Sequence, residues 1–259
     1  MKNSNHQKIK KLPVLTNLRN SKKKLKNVTG KINLKYDHKN EFIFNDSFEG
    51  KKIKYQDLVI KDGKFVGKFE EMYQKFSDPW TSLKRNKLGS NLNYKIIYNY
   101  CNQLKKKKLT TLEIGCGFPQ ISNELLKNGF KVYGTDISET VIRKSKKKYP
   151  KLKNNLFVSN FLNFSLYEKL NPDIIILSDI TWYILTELKQ FIKWYKGLKK
   201  EVYLIHSLAV YDKNKQKYGK EYFYDLKSIK SFFNLNYLSS GYIENIGEDK
   251  HTFFLGTNK

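Results

Sequence analysis

From Thr110 onward the chain alternates short apolar runs with amphipathic stretches, which predicts strands and helices in turn. Thr111 to Ile114 reads as a strand, and Ile121 to Lys127 as a helix stopped by Gly129. Lys131 to Thr135 reads as the next strand, after which Ser138 is placed to cap a helix running to about Tyr149. Leu156 to Ser159 is a third strand. Asp173 to Ser178 (DIIILS) is continuously apolar past its first residue, as a strand buried on both faces must be. A helix over Leu185 to Leu198, a strand over Val202 to His206 and a helix from Asp225 to about Asn234 follow. Two closing strands, near Tyr237 to Ile243 and His251 to Gly256, are joined by ENIGEDK with no helix between them. The pattern predicts an α/β fold: a doubly wound, mostly parallel seven-stranded sheet with a final antiparallel strand.

Upstream the text changes. YQDLVIKDGKFVGKF puts an Asp62-Gly63 turn between two apolar runs, a hairpin signal. EEMYQKF reads as a short helix, and Asn91 to Lys108 as a longer one with Ile96, Ile97, Tyr100 and Leu104 along one side. Its lysine run, Lys105 to Lys108, suits the C-terminal end of a helix dipole. Three regions are expected: a flexible basic arm over 1–30, a hairpin-and-lid extension over 31–90, and the alternating domain over 91–259.

Charge changes this picture only at the N-terminus. The chain has 50 Lys and Arg against 24 Asp and Glu, a net charge of +26. Three of the fifty are arginine (Arg19, Arg85, Arg143), and Ala209 is the single alanine, which is the signature of an AT-rich coding sequence. Arginine is the side chain best shaped for bidentate phosphate and guanine contacts, so a nucleic-acid partner is possible but not favoured. Residues 1–36 carry eleven basic and no acidic residues. No apolar run is long enough to span a membrane, and no secretory h-region is visible. The two cysteines and four histidines show no metal-ligand spacing and no disulfide framework. The expectation is a cytoplasmic protein without a metal.

The chemistry concentrates after the first strand of the alternation. Gly115 and Gly117 let the backbone turn tightly and approach a ligand, and Asp136 ends the next strand, where a carboxylate can accept hydrogen bonds from both ribose hydroxyls. A dinucleotide fingerprint needs a third glycine where this chain has Gln120, so pyrophosphate binding is poorly supported. Pro119 is no defect if it occupies the first helical position, where its missing N–H costs nothing.

LEIGCG followed by GTDIS resembles motifs I and II of class I S-adenosylmethionine-dependent methyltransferases, with Glu113 as the acidic residue before the first glycine. The resemblance covers about Thr110 to Lys259 and implies a Rossmann-like fold that binds S-adenosyl-L-methionine. Gly115, Cys116 and Gly117 would line its methionine end, and Asp136, with Ile137 beside it, would hold the ribose. Asn160, followed by Phe161, stands where the family often has an aspartate for the adenine amino group. In LSDITWYIL, Ser178 and Asp179 would sit beside the sulfonium and the incoming nucleophile. DPW (Asp78, Pro79, Trp80), with Asp179, Trp182 and Tyr183, is similar to the nodulation-protein-S type, which acts on amino groups of sugars. Trp80 would then belong to a lid over the cofactor.

Each residue also has a purely structural reading: Asp179 as a helix cap, Trp182 and Tyr183 as core, His206 as a structural histidine, Cys116 as a loop residue valued for its backbone. A hydroxyl acceptor would need a base such as His206 or Asp179, whereas a neutral amine needs mainly positioning. The Asn/Asp-Pro-Pro-aromatic signature of base-amino methyltransferases and the Pro-Cys pair used on cytosine carbon are both missing. The expectation is a methyltransferase acting on a small molecule or saccharide, at N or O. An RNA methyltransferase using the basic arm and a non-catalytic cofactor-binding protein are the alternatives. Asp179, His206 and Tyr183 are the expected catalytic residues.

Overall fold

A computed structural model describes residues 54–83, 92–104, 108–211, 215–244 and 250–259. The expected basic arm over 1–30, the lysines 105–107 and most of the ENIGEDK junction lie outside the described residues. All the described residues belong to one compact unit, Asp46–Lys259.

The chain first forms the expected hairpin. β1 (Ile60–Lys61) and β2 (Lys64–Phe65) pair antiparallel about Asp62 and Gly63. Both turn residues have positive φ (51° and 73°), the condition for the tight turn that matches strand twist. α1 (Phe69–Lys75) follows and buries Met72 and Tyr73; α2 (Leu92–Leu104) buries Ile97, Tyr100 and Cys101.

The alternating part then runs β3 (Thr110–Ile114), α3 (Gln120–Lys127), β4 (Lys131–Asp136), α4 (Glu139–Lys148), β5 (Leu156–Val158), α5 (Phe164–Leu170) and β6 (Ile174–Ser178). It continues through α6 (Leu188–Lys196), β7 (Tyr203–Val210), α7 (Leu226–Phe233), β8 (Asn236–Glu244) and β9 (Lys250–Thr257). The seven strands β3 to β9 stand in the order β5-β4-β3-β6-β7-β9-β8. Neighbours from β5 to β7 are parallel, and β9 runs antiparallel to both β7 and β8. The continuously apolar β6 shows why: Ile174 and Ile176 enter the core on one face of the sheet, Ile175 and Leu177 the core on the other. The first core packs under α1 to α4 residues such as Met72, Ile97, Leu125 and Val141; the second gathers Phe191, Ile229, Phe233 and Phe254.

Four details differ from the sequence reading, the first being that β7 runs on to Val210 instead of ending at His206. Pro119 stands at the N-cap of α3 (φ −77°), one position before the helical slot expected for it. α6 begins at Leu188 rather than Leu185, because Thr181–Tyr183 form a separate 3-10 turn. α5 was not anticipated; Asn163 starts it by accepting the N–H of Leu166. Among the described residues no helix is long and apolar enough to cross a membrane.

Candidate functional site

A cavity of ≈ 220 Å³ opens at the carboxyl ends of β3, β4 and β5, where a doubly wound sheet places its ligands. Its floor is the turn after β3. Gly115 lines the cavity with φ +69°, and a Cβ there would lie 2.6 Å from Cγ2 of Ile180, so only glycine fits. Gly117 is also left-handed (φ +49°) and donates its N–H to Oδ2 of Asp136 at 2.9 Å. Asp136 lines the cavity while 8% exposed, and its Oδ1 accepts the N–H of Ser138 at 3.0 Å. Burial pushes its carboxyl up to about 6 against the pull of these backbone hydrogen bonds.

Four expected cofactor residues do not line this cavity. Glu113 is buried beneath the turn, where its Oε2 accepts both the hydroxyl (2.6 Å) and the N–H (3.1 Å) of Ser122 in α3. Burial raises its carboxyl to about 7, and its contacts make it a strut between β3 and α3. Cys116 gives its N–H to the carbonyl of Thr135 while its thiol, raised by burial, packs in the core beside Gly134. Gly117 acts through Asp136, and Ser178 ends β6 away from the cavity wall.

At the other end Ile137 offers an apolar face that is 58% exposed, directly after Asp136 and in the cavity wall. Asn160 and Phe161 complete this wall; the Oδ1 of Asn160 accepts the N–H of Leu162 at 3.0 Å, and Phe161 packs on Phe191. An apolar face with an amide beside it suits an adenine ring, and the carboxylate next to it suits a diol.

The roof comes from the N-terminal extension. Phe65, Phe69, Tyr73 and Trp80 line the cavity, Trp80 packing against Tyr55 and Tyr183 (ring centroids 5.0 and 5.8 Å) and Phe69 against Tyr183 (5.4 Å). Pocket volumes of about 300–1,000 Å³ are usual for small-molecule sites, so this roof must shift for a full-sized ligand to seat. What ties it down is a residue that the sequence reading passed over. Glu70 of α1 accepts hydrogen bonds from the hydroxyls of Ser138 (2.6 Å) and Thr140 (2.5 Å) and from the N–H of Thr140 (3.2 Å), at the start of α4. Burial works against the charge, but these hydrogen bonds outweigh it and bring the carboxyl down to about 2. A carboxylate is also favoured there by the helix dipole. Glu70→Ala is expected to loosen the roof, giving about tenfold faster release of bound cofactor product in stopped-flow displacement, with Glu70→Gln in between. Unchanged release rates in both variants would remove the clamp.

The expected catalytic residues separate. Tyr183 lines the cavity, and burial followed by the charge of Asp179 raises its phenol. Asp179 is absent from the cavity wall: it lies in the turn after β6 with φ +58°, and its buried Oδ1 has no hydrogen-bond partner, although Nε2 of His251 is 3.2 Å away. His206 must be corrected: it is 0% exposed, absent from the cavity wall, and packed between Phe233 and Phe254. Its Nε2 pairs with the hydroxyl of Thr181 at 2.8 Å, and burial lowers the ring to about 3. β7 runs on past His206 to Val210, so the residue expected at a strand's end lies inside the strand and in the core. Trp182 is likewise core, donating its indole N–H to the carbonyl of Ala209. Among the described residues no cluster could hold a metal ion.

Residues 112–205 match a family model described as a methyltransferase domain. No curated protein matches the chain by sequence. Among solved structures it is similar to the N-methyltransferase NodS from Bradyrhizobium japonicum WM9 in complex with S-adenosyl-L-homocysteine. That match has 15% identity over 73% of this chain and 96% of that one, with a TM-score of 0.53. PH0226 from Pyrococcus horikoshii OT3 matches at 19% identity over 73% and 99% of the two chains, with a TM-score of 0.50. An S-adenosylmethionine-dependent methyltransferase from Clostridium acetobutylicum ATCC 824 matches at 13% identity over 71% and 98%, also with a TM-score of 0.50. At such identities the likeness is one of fold.

Proposed function

We propose that this chain, whose residues 112–205 match a methyltransferase domain model, is a class I S-adenosylmethionine-dependent methyltransferase that methylates a small molecule or saccharide, with an amine as the favoured acceptor group. The observation that supports this most is the aromatic roof. Phe65, Phe69, Trp80 and Tyr183 line the cavity over the glycine turn, an aromatic cover that, once shifted to admit the donor, would suit a small acceptor rather than a polymer. The similarity in fold to an N-methyltransferase points the same way.

The residues present fit the cofactor. Gly115 leaves a cradle that a Cβ would fill, Asp136 presents a carboxylate for the ribose hydroxyls, and Ile137, Asn160 and Phe161 offer an apolar wall with an amide for adenine. When bound, S-adenosylmethionine supplies an electrophilic methyl group. The chain's own contribution is to hold, align and dry the reactants. Tyr183 and Trp80 exclude water from the cavity, which strengthens each polar contact inside it. An amine acceptor arrives as an ammonium and must be a free base to attack. The proton it must lose goes to solvent before the amine is enclosed. A carboxylate close by, such as Asp179 in the turn next to Ile180, would attract the cation, and alignment then supplies much of the rate.

The raised carboxyl of Asp136 gives this reading a pH signature. Ribose hydroxyls donate to the ionised form, so the complex favours loss of the proton that the free protein keeps up to about 6. Affinity for S-adenosyl-L-homocysteine is therefore expected to be flat above that pH and to fall below it, approaching tenfold per pH unit. Calorimetry from pH 5 to 8 checks this; a constant affinity would remove Asp136 from the ribose.

The function itself is tested with labelled S-adenosylmethionine and a panel of D-glucosamine, N-acetyl-D-glucosamine, D-glucose, ethanolamine and ethylene glycol, alongside short RNAs. Label on the free amines supports the proposal. Label on RNA alone, lost on deleting residues 1–28, would replace it with the RNA reading.

A further inference from the structure

We propose that Glu187, at the start of α6, is the residue that reads the amino group of the cofactor's adenine, a task the sequence pattern assigns to Asn160 after β5. This rests on the reading of the cavity as a methyltransferase site.

Glu187 lines the cavity with Ser159, Asn160 and Phe161, and with Ile184 one turn before it. It stands at the N-cap of α6, yet its side chain makes no capping hydrogen bond. Among the described residues its carboxylate has no hydrogen bond and no salt bridge, in a chain of net charge +26. Burial pushes the carboxyl above its ordinary range, and nothing opposes that push. A half-buried carboxylate without a donor is a cost to the fold that a ligand's N–H would relieve. Two contacts fix which end of the cavity it serves. Phe191, one turn further along the same face of α6, packs on Phe161 with ring centroids 5.0 Å apart. The phenol of Tyr167, raised to about 12 first by burial, also feels the charge of Glu187, and its hydroxyl donates to the carbonyl of Asn160 at 3.0 Å. Glu187 belongs to the adenine wall.

The acceptors after β5 are already engaged. Oδ1 of Asn160 accepts the N–H of Leu162 at 3.0 Å, and its carbonyl accepts the hydroxyls of Tyr167 at 3.0 Å and Ser159 at 3.2 Å. Its amide nitrogen can only donate, which suits a ring nitrogen of the base and not an amino group. The amino group is itself a donor and needs an acceptor in this wall. Glu187 offers two oxygens that bond nothing in the protein. An N–H donated to an ionised carboxylate is roughly twice as strong as one between neutral partners. A base with a carbonyl at that position would instead set two acceptors against each other, which is how a polar site rejects a close analogue.

The test is calorimetric titration of the full chain with S-adenosyl-L-homocysteine and with S-inosyl-L-homocysteine, whose base carries a carbonyl in place of the amino group. The parent is expected to bind the first about a hundredfold tighter or more. Glu187→Gln, whose amide can donate to that carbonyl, should lose about tenfold in affinity for the first and gain for the second, closing most of the gap. Glu187→Ala should show the loss without the gain. Neither substitution should lower the melting temperature of the ligand-free protein, since the side chain bonds nothing within it. A parent that binds both compounds alike, a gap that persists in Glu187→Gln, or one that closes in Asn160→Ser instead, overturns the proposal. So does unchanged affinity joined to a raised KM for D-glucosamine or ethanolamine, which would turn the carboxylate toward the acceptor. A parent chain that binds neither compound strikes the functional reading and this assignment with it. One that binds S-adenosyl-L-homocysteine and is indifferent to both Glu187 substitutions strikes the assignment alone.

Discussion

Asp136→Ala is expected to weaken binding of S-adenosylmethionine and its demethylated product by about ten- to a hundredfold, the loss of hydrogen bonds to a charged acceptor. The carboxylate has two tasks, and the substitution removes both. It faces the cavity, and it also accepts the N–H groups of Gly117 and Ser138, which hold the glycine turn and the start of α4 in place. Each backbone donor left without an acceptor costs about 1–3 kcal/mol, so the melting temperature should fall as well. Asp136→Asn separates the tasks: an amide oxygen can still accept one of the two N–H groups, so stability should recover more than affinity. Calorimetric titration well below the melting temperature makes the measurement. An Asp136→Ala protein that is folded and binds as tightly as the parent would remove the ribose assignment.

His206→Ala is expected to damage the fold and spare the site. The ring is fully buried, stacks on Phe254 at 4.7 Å and meets the edge of Phe233 at 5.0 Å. Truncation leaves a cavity and an unpaired Thr181 hydroxyl, together worth about 2–5 kcal/mol by analogy with large-to-small core changes. With its ring lowered to about 3 by burial, His206 stays neutral across the ordinary pH range and has no path to a substrate. Denaturant unfolding should show the loss, while affinity for S-adenosyl-L-homocysteine at low temperature stays within about twofold. A variant of parental stability whose turnover collapses would restore His206 to the chemistry.

The difference between these two residues shows what a sequence reveals. Asp136 was legible because its role is local: a glycine turn, a strand and a carboxylate at fixed spacing define one end of a parallel sheet. The strands themselves were legible for a similar reason, since a run such as Ile174 to Leu177 can only satisfy two buried faces. His206 misled because the strand was expected to end there, whereas β7 runs on to Val210 and the ring is enclosed by Phe254 of neighbouring β9 and Phe233 of α7. Glu70 and His251 were illegible for the complementary reason. Glu70 sits on a short helix that looks solvated, and its partners Ser138 and Thr140 lie 68 and 70 residues away. His251 meets Ser207 at a separation of 44 residues through a strand register that no local pattern encodes. α5 could have been found: Asn163 is a good cap and Leu166, Tyr167 and Leu170 follow helical spacing, but seven residues gave the periodicity little length.

The place of β9 also bears on how the molecule is made. It is the last strand of the sheet in chain order, yet it stands between β7 and β8 and is buried along nearly its whole length. A ribosome delivers the chain from its N-terminus at about 5–20 residues per second, so every other strand emerges first. Until β9 arrives, β8 has no strand to pair with and the side of β7 that will carry Phe254 stays open to water. The nascent protein therefore passes through a state in which the residues lining the cavity are already synthesised while an adhesive sheet edge is exposed. In that interval, chaperone binding and edge-to-edge aggregation compete with a single strand insertion.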